Sequence, residues 1–136
     1  MRHPMKALLA LALAATGFTA HADCAAALAE HERSDMALGY EAFDQTEDKG
    51  FRVLAKQHCF VEAERLIIGY LEKHEGHKSA LWWHAAQMAA SAGDYPRASA
   101  NAQRSRAASG PAPRDDPLMW DEYLVASIAF FDRDKA

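Results

Sequence analysis

The chain has 136 residues, half of them hydrophobic, with 15 Lys and Arg against 19 Asp and Glu and a formal net charge of −4. A surface of that sign repels phosphate backbones and anionic lipid, and no basic block offsets it, so nucleic acid is excluded as an expected partner. At this length a single domain with one modest core is expected.

The N-terminus reads as an export signal. Arg2, His3 and Lys6 form a positive region, residues 7–15 are a short apolar run, and Ala20-His21-Ala22 places small residues where a signal peptidase reads. The run is too short to span a bilayer. We therefore expect residues 1–22 to be a cleaved signal peptide, with no membrane insertion afterwards. Residues 23–136 would then form the exported domain, in the periplasm of a bacterium or beyond. That domain holds 114 residues and carries 13 basic and 19 acidic side chains, a net charge of −6. Both cysteines of the chain, Cys24 and Cys59, survive cleavage. In an oxidising compartment an even pair favours a disulfide, and without a C-x-x-C spacing or a basic neighbourhood a redox role is disfavoured.

The periodicity is helical throughout, and good helix formers dominate. The spacing predicts a helix over 23–32 with Asp23 as its cap and Ala27 and Leu28 inward, then a short segment over 35–44 carrying Met36, Leu38, Tyr40 and Phe43. A third over 49–57 presents Phe51, Leu54 and Ala55. The fourth, 60–74, has Phe60, Ala63, Ile67 and Leu71 in one stripe. Helices over 79–92 and 95–108 follow, the first burying Trp82, Ala85, Ala86 and Ala89. Gly110, Pro111, Pro113 and Pro117 make 109–117 a loop, since proline removes helix donors and constrains its predecessor. A last helix over 116–131 is predicted with Asp116 capping and Pro117 at its first position.

Within this series the run Gly93-Asp94-Tyr95-Pro96-Arg97-Ala98 stands eleven residues after Trp82, and a weaker copy lies 35 residues upstream, with Phe60 at the place of Tyr95 and Ala63 at that of Ala98. Trp82, Ala86, Gly93, Asp94, Tyr95 and Ala98 together make the chain resemble the tetratricopeptide repeat family. The upstream unit keeps Leu54, Phe60 and Ala63 but has His58-Cys59 at the turn, and a third unit opens at Trp120 with Tyr123 and Leu124. The resemblance spans about residues 50–131. It implies an all-α fold of stacked helix-turn-helix pairs, a short α-solenoid, with a concave face lined by the first helix of each pair. Mapped onto that face are Arg52, Lys56, Trp83, Gln87, Asp121 and Val125. Trp82 and Trp83 cannot share one helical face, so one is expected in the core and the other towards the groove or surface. A Trp beside Arg52 and Lys56 would suit an extended peptide with an acidic residue or terminal carboxylate.

Chemistry is poorly supported. His74-Glu75-Gly76-His77 with His84 has the look of a metal cluster, yet Gly76 and Lys78 place the first pair at a helix end, where His74 is explained by the macrodipole. The serines lack a strained nucleophile turn, and no glycine-rich phosphate loop is present. The expectation is a protein- or peptide-binding module that is not an enzyme and needs no cofactor and no metal. Two alternatives stay open: an acidic inhibitor or immunity partner of a basic toxin or envelope enzyme, and a helical metal-binding protein or enzyme using the histidines.

Overall fold

A computed structural model describes residues 21–111 and 113–133, so the predicted signal lies almost wholly outside the described residues. Seven helices are present among them and no strand: α1 (His21–Ser34), α2 (Tyr40–Asp44), α3 (Phe51–Lys56), α4 (Phe60–Lys73), α5 (Lys78–Ser91), α6 (Tyr95–Ser109) and α7 (Trp120–Arg133). None is long and apolar enough to cross a membrane. From α3 onward each helix packs on the next, and α1 lies against α3 and α4. The chain is therefore a short all-helical stack, in which two helical hairpins, α3–α4 and α5–α6, are followed by α7.

The 35-residue echo is written in backbone hydrogen bonds. At the end of α5 the Gly93 N–H donates to the Ala90 carbonyl (2.9 Å) and the Asp94 N–H to that of Ala89 (2.9 Å), with Gly93 left-handed at φ +81°. At the end of α3 the His58 N–H donates to Ala55 (3.0 Å) and the Cys59 N–H to Leu54 (2.9 Å), with His58 at φ +59°. Both are Schellman turns, satisfying carbonyls that the helix end leaves open. Their following helices start differently. The Asp94 carboxylate accepts the Arg97 N–H (3.0 Å) and Pro96 stands in the first turn of α6, a side-chain cap of the usual kind. Cys59, in the equivalent place, is instead tied to Cys24 by a disulfide with Cα atoms 5.4 Å apart. Closing that 35-residue separation contributes about 3–4 kcal/mol on the chain-entropy account.

The core divides in two, and α5 serves both parts. Leu81 and Ala85 join Phe43, Phe51, Leu54, Leu66, Ile67 and Tyr70 in the first cluster. Trp83, Ala86 and Ala89 join Ala98, Ala102, Leu124 and Phe131 in the second. Between the hairpins, buried Glu64 of α4 accepts from Asn101 Nδ2 (2.7 Å) and Arg97 Nη1 (3.3 Å) of α6, so the second helices of the two pairs are joined by a satisfied polar bridge.

Several boundaries differ from the sequence expectation. The segment over 35–44 is helical only from Tyr40, because its first half bonds outward: the Tyr70 hydroxyl donates to the Leu38 carbonyl (2.7 Å), and His74 Nε2 lies 2.7 Å from the Met36 carbonyl. α7 starts at Trp120, after Pro117 rather than on it. Asp116 turns the chain ahead of the helix, its carboxylate accepting from the Leu118 N–H (3.0 Å) and the Trp120 N–H (2.8 Å), and Met119 is left-handed at φ +46°. Asp23 lies inside the first turn of α1, not at a cap, where its charge still interacts favourably with the positive end of the helix dipole.

Candidate functional site

The first helices of the pairs, α3, α5 and α7, stand side by side. Phe51 of α3 meets His84 of α5 with ring centroids 5.3 Å apart, and Trp83 of α5 meets Trp120 and Tyr123 of α7 edge-on at 6.0 and 5.1 Å. Two open hollows lie along this face and share Gln87. One, of about 540 Å³, is walled by Trp83, Ala90, Tyr123, Ser127 and Phe130 between α5 and α7. The other, of about 400 Å³, is bordered by Glu47, Arg52, Lys56, His84 and Met88 between α3 and α5.

Of the six residues mapped to this face, Arg52, Lys56, Trp83 and Gln87 line the joined hollows. Asp121 points the other way, into a bidentate pair with Arg106 of α6 (2.6 and 3.1 Å) that also borders a separate hollow behind α7. Val125 is exposed and lines neither hollow. The tryptophans divide as their spacing requires, but Trp83 is the deeper one at 8% exposure. Position 83 faces α7, so its ring builds the wall of the groove instead of projecting into it. Trp82 is half-buried against the first cluster, with the Arg104 guanidinium 4.9 Å from its ring centroid. The side chains that do project are Tyr123 and Phe130, 47% and 59% exposed. Their i, i+7 spacing, with Ser127 between, was the available signal. It does not stand out because the 35-residue period that relates the first two units does not set the phase of the third.

The cations of the α3 end are already paired. Lys56 bonds Glu47, and Arg52 reaches Asp44 through Nη2 (3.1 Å) and its backbone carbonyl through Nε. Asp44 is the hub beneath the groove. Fully buried at the end of α2, it also takes Gln45 Nε2 (2.7 Å), His84 Nε2 (3.2 Å) and the Tyr40 hydroxyl. Burial by itself raises a carboxyl, but here the bonds from His84 and Tyr40, the His84 charge and Gln45 outweigh it and hold Asp44 down to about 2. Burial and the Asp44 contact push the Tyr40 phenol up to about 12. His84 Nδ1 lies 2.8 Å from Gln87 Oε1, so both ring nitrogens are engaged and the imidazole acts as a strut between α2 and α5.

Asp44 should make stability depend on pH in the acid range. Its folded pKa is depressed from 3.8 to about 2, so its contribution is full above pH 4 and is lost as pH falls towards 2. The integrated effect is about 2 kcal/mol. Urea unfolding between pH 5 and 2 should show the loss in the parent chain and a flatter profile in Asp44→Asn. Asp35, depressed by His31, Ser34 and Gly50 despite its burial, contributes to the slope that remains. Equal slopes in the two proteins would remove Asp44 as a linkage site.

The histidines of the metal alternative are dispersed. His74 stacks on Tyr70 (3.9 Å), His77 stacks on Tyr40 (3.7 Å), and His84 belongs to Asp44. Among the described residues the one group of three with ligand atoms close together is Cys24, Cys59 and Glu62, and its two sulfurs are bonded to each other. No family model, curated protein or solved structure matches the chain.

Proposed function

We propose that the chain is an exported helical-repeat module of tetratricopeptide type that binds a partner protein or peptide along α3, α5 and α7. The observation that carries this reading is the pair of hollows meeting at Gln87, with an aromatic wall at one end and paired charges at the other. Such a surface offers a rigid aromatic anchor site and an adjoining track for an extended segment. Because Arg52 and Lys56 already hold carboxylates, they set register, and the aromatic hollow supplies most of the affinity. The Cys24–Cys59 disulfide supports an oxidising destination, in keeping with the export signal expected over residues 1–22.

Selection of peptides from a displayed library on the purified protein tests this. Selected sequences should carry an aromatic or large aliphatic anchor. Tyr123→Ala should weaken them by about tenfold or more, as truncation of an interface aromatic does, while Lys56→Glu should weaken acidic sequences selectively. Neither change should shift the melting temperature by more than a few degrees, since both side chains are exposed. Failure to select any peptide, or affinities indifferent to both changes, would remove the groove as the binding surface.

A further inference from the structure

We propose that the outer face of α7 is a self-complementary surface through which two copies of the chain pair about a twofold axis, with the two α7 helices antiparallel. α7 turns Leu124 and Phe131 inward, which leaves Glu122, Ala126, Ala129 and Arg133 in one line along its solvent side. Val125 and Phe130 flank that line, 44% and 59% exposed. These are large apolar side chains to leave in water on adjacent turns, and Leu118 and Met119, just before the helix, are 77% and 59% exposed.

The order of residues on this line is what selects a second copy. An antiparallel twofold centred between Ser127 and Ile128 brings Ala126 of one helix to the level of Ala129 of the other, twice. The small pairs let the backbones approach closely. The same operation sets Val125 level with Phe130 and closes each end with Glu122 opposite Arg133. Among the described residues neither Glu122 nor Arg133 is in an ion pair, so both charges are available across the axis. A parallel arrangement would instead place Glu122 beside Glu122 and Arg133 beside Arg133. The charge order therefore favours the antiparallel dimer and opposes the parallel one, as an isologous interface requires. Ala126 and Phe130 also line the hollow between α5 and α7, so pairing would border the groove and take up part of its α7 rim, leaving Trp83, Tyr123 and Ser127 to the groove itself.

Sedimentation of the purified protein over a concentration series tests the proposal. The mass should rise to twice the monomer mass measured on the same sample by mass spectrometry. Ala126→Glu sets two carboxylates near the axis and should raise the dissociation constant by at least about 100-fold, since like-charge juxtaposition is costly. Glu122→Arg alone and Arg133→Glu alone should each weaken pairing, and the double swap should restore it. Because all three positions are exposed, each variant should keep the parent's circular dichroism and melting temperature. The swap series decides the question should Ala126→Glu fail to fold. A monomer at every concentration would overturn the proposal and leave the α7 face to a different partner. A dimer unaffected by the swaps would overturn it as well, by placing the interface elsewhere.

Discussion

Gly50→Ala should abolish the cooperative unfolding transition of this protein. Gly50 joins α2 to α3 at φ +66° and ψ −159°, a region that residues with a side chain almost never occupy. Conformation alone would cost about 1–3 kcal/mol. The larger problem is steric, because a Cβ added there would lie 1.9 Å from the Phe43 carbonyl oxygen and 2.7 Å from its carbon. These are backbone atoms, so relief requires α2 to move. Moving α2 would withdraw Phe43 from its stack on Tyr70 (3.8 Å) and Asp44 from Arg52 and His84. It would also break the buried bond from the Gly50 N–H to Asp35 Oδ2 (2.8 Å). Together these losses approach the whole stability of a small domain, about 5–15 kcal/mol. Gly76→Ala is the matched control. Gly76 is also left-handed at φ +89°, but a Cβ there meets nothing within 4 Å, so only the conformational cost of about 1–2 kcal/mol applies. Urea titration followed by circular dichroism should separate the two, and a Gly50→Ala transition close to that of Gly76→Ala would show that α2 is not fixed as described.

The contrast between the two turns explains what the sequence could reveal. Gly93-Asp94 announces itself because glycine tolerates the left-handed position and aspartate caps the next helix. His58-Cys59 makes the same pair of backbone bonds with residues that carry no such signature. The turn is a backbone object, and a disulfide in place of a cap holds its second residue. The helix boundary at 35–44 failed because side chains from far along the chain took over the backbone. Nothing near Leu38 indicates that Tyr70 will bond its carbonyl, and nothing near Asp44 indicates that His84 will reach it. Trp83 was legible as belonging to a different face from Trp82, but its depth depended on α7 closing over it, which a pattern within α5 does not contain. The groove was therefore half legible: the α3 and α5 positions follow from the 35-residue period, whereas the α7 residues depend on a third unit whose phase the period does not set.

Ala98→Glu should be as damaging as Gly50→Ala, by a different route. Ala98 is fully buried, in one cluster with Trp83, Ala86, Ala89, Ala102, Leu124 and Phe131, and it stands 35 residues after Ala63, which is equally buried in the first cluster. At both places a second helix crosses close to its neighbours, and only a methyl group fits. A glutamate would add four heavy atoms beyond that carbon, an overpacking cost of about 1–3 kcal/mol. Its charge would have to enter an apolar cluster at a further cost of several kcal/mol. No cation is placed to meet it, since neighbouring Arg97 is directed to Glu64 and Asp94. Ala100→Glu separates helix propensity from burial: it lies two residues away on the exposed side of the same helix and should change stability by no more than about 0.5 kcal/mol. The expected result is a normal urea transition for Ala100→Glu and none for Ala98→Glu at neutral pH. If Ala98→Glu unfolded near the parent midpoint, α6 would not cross α5 and α7 at this residue. The stack that aligns α5 beside α7, and with it the aromatic wall of the groove, would then need a different packing.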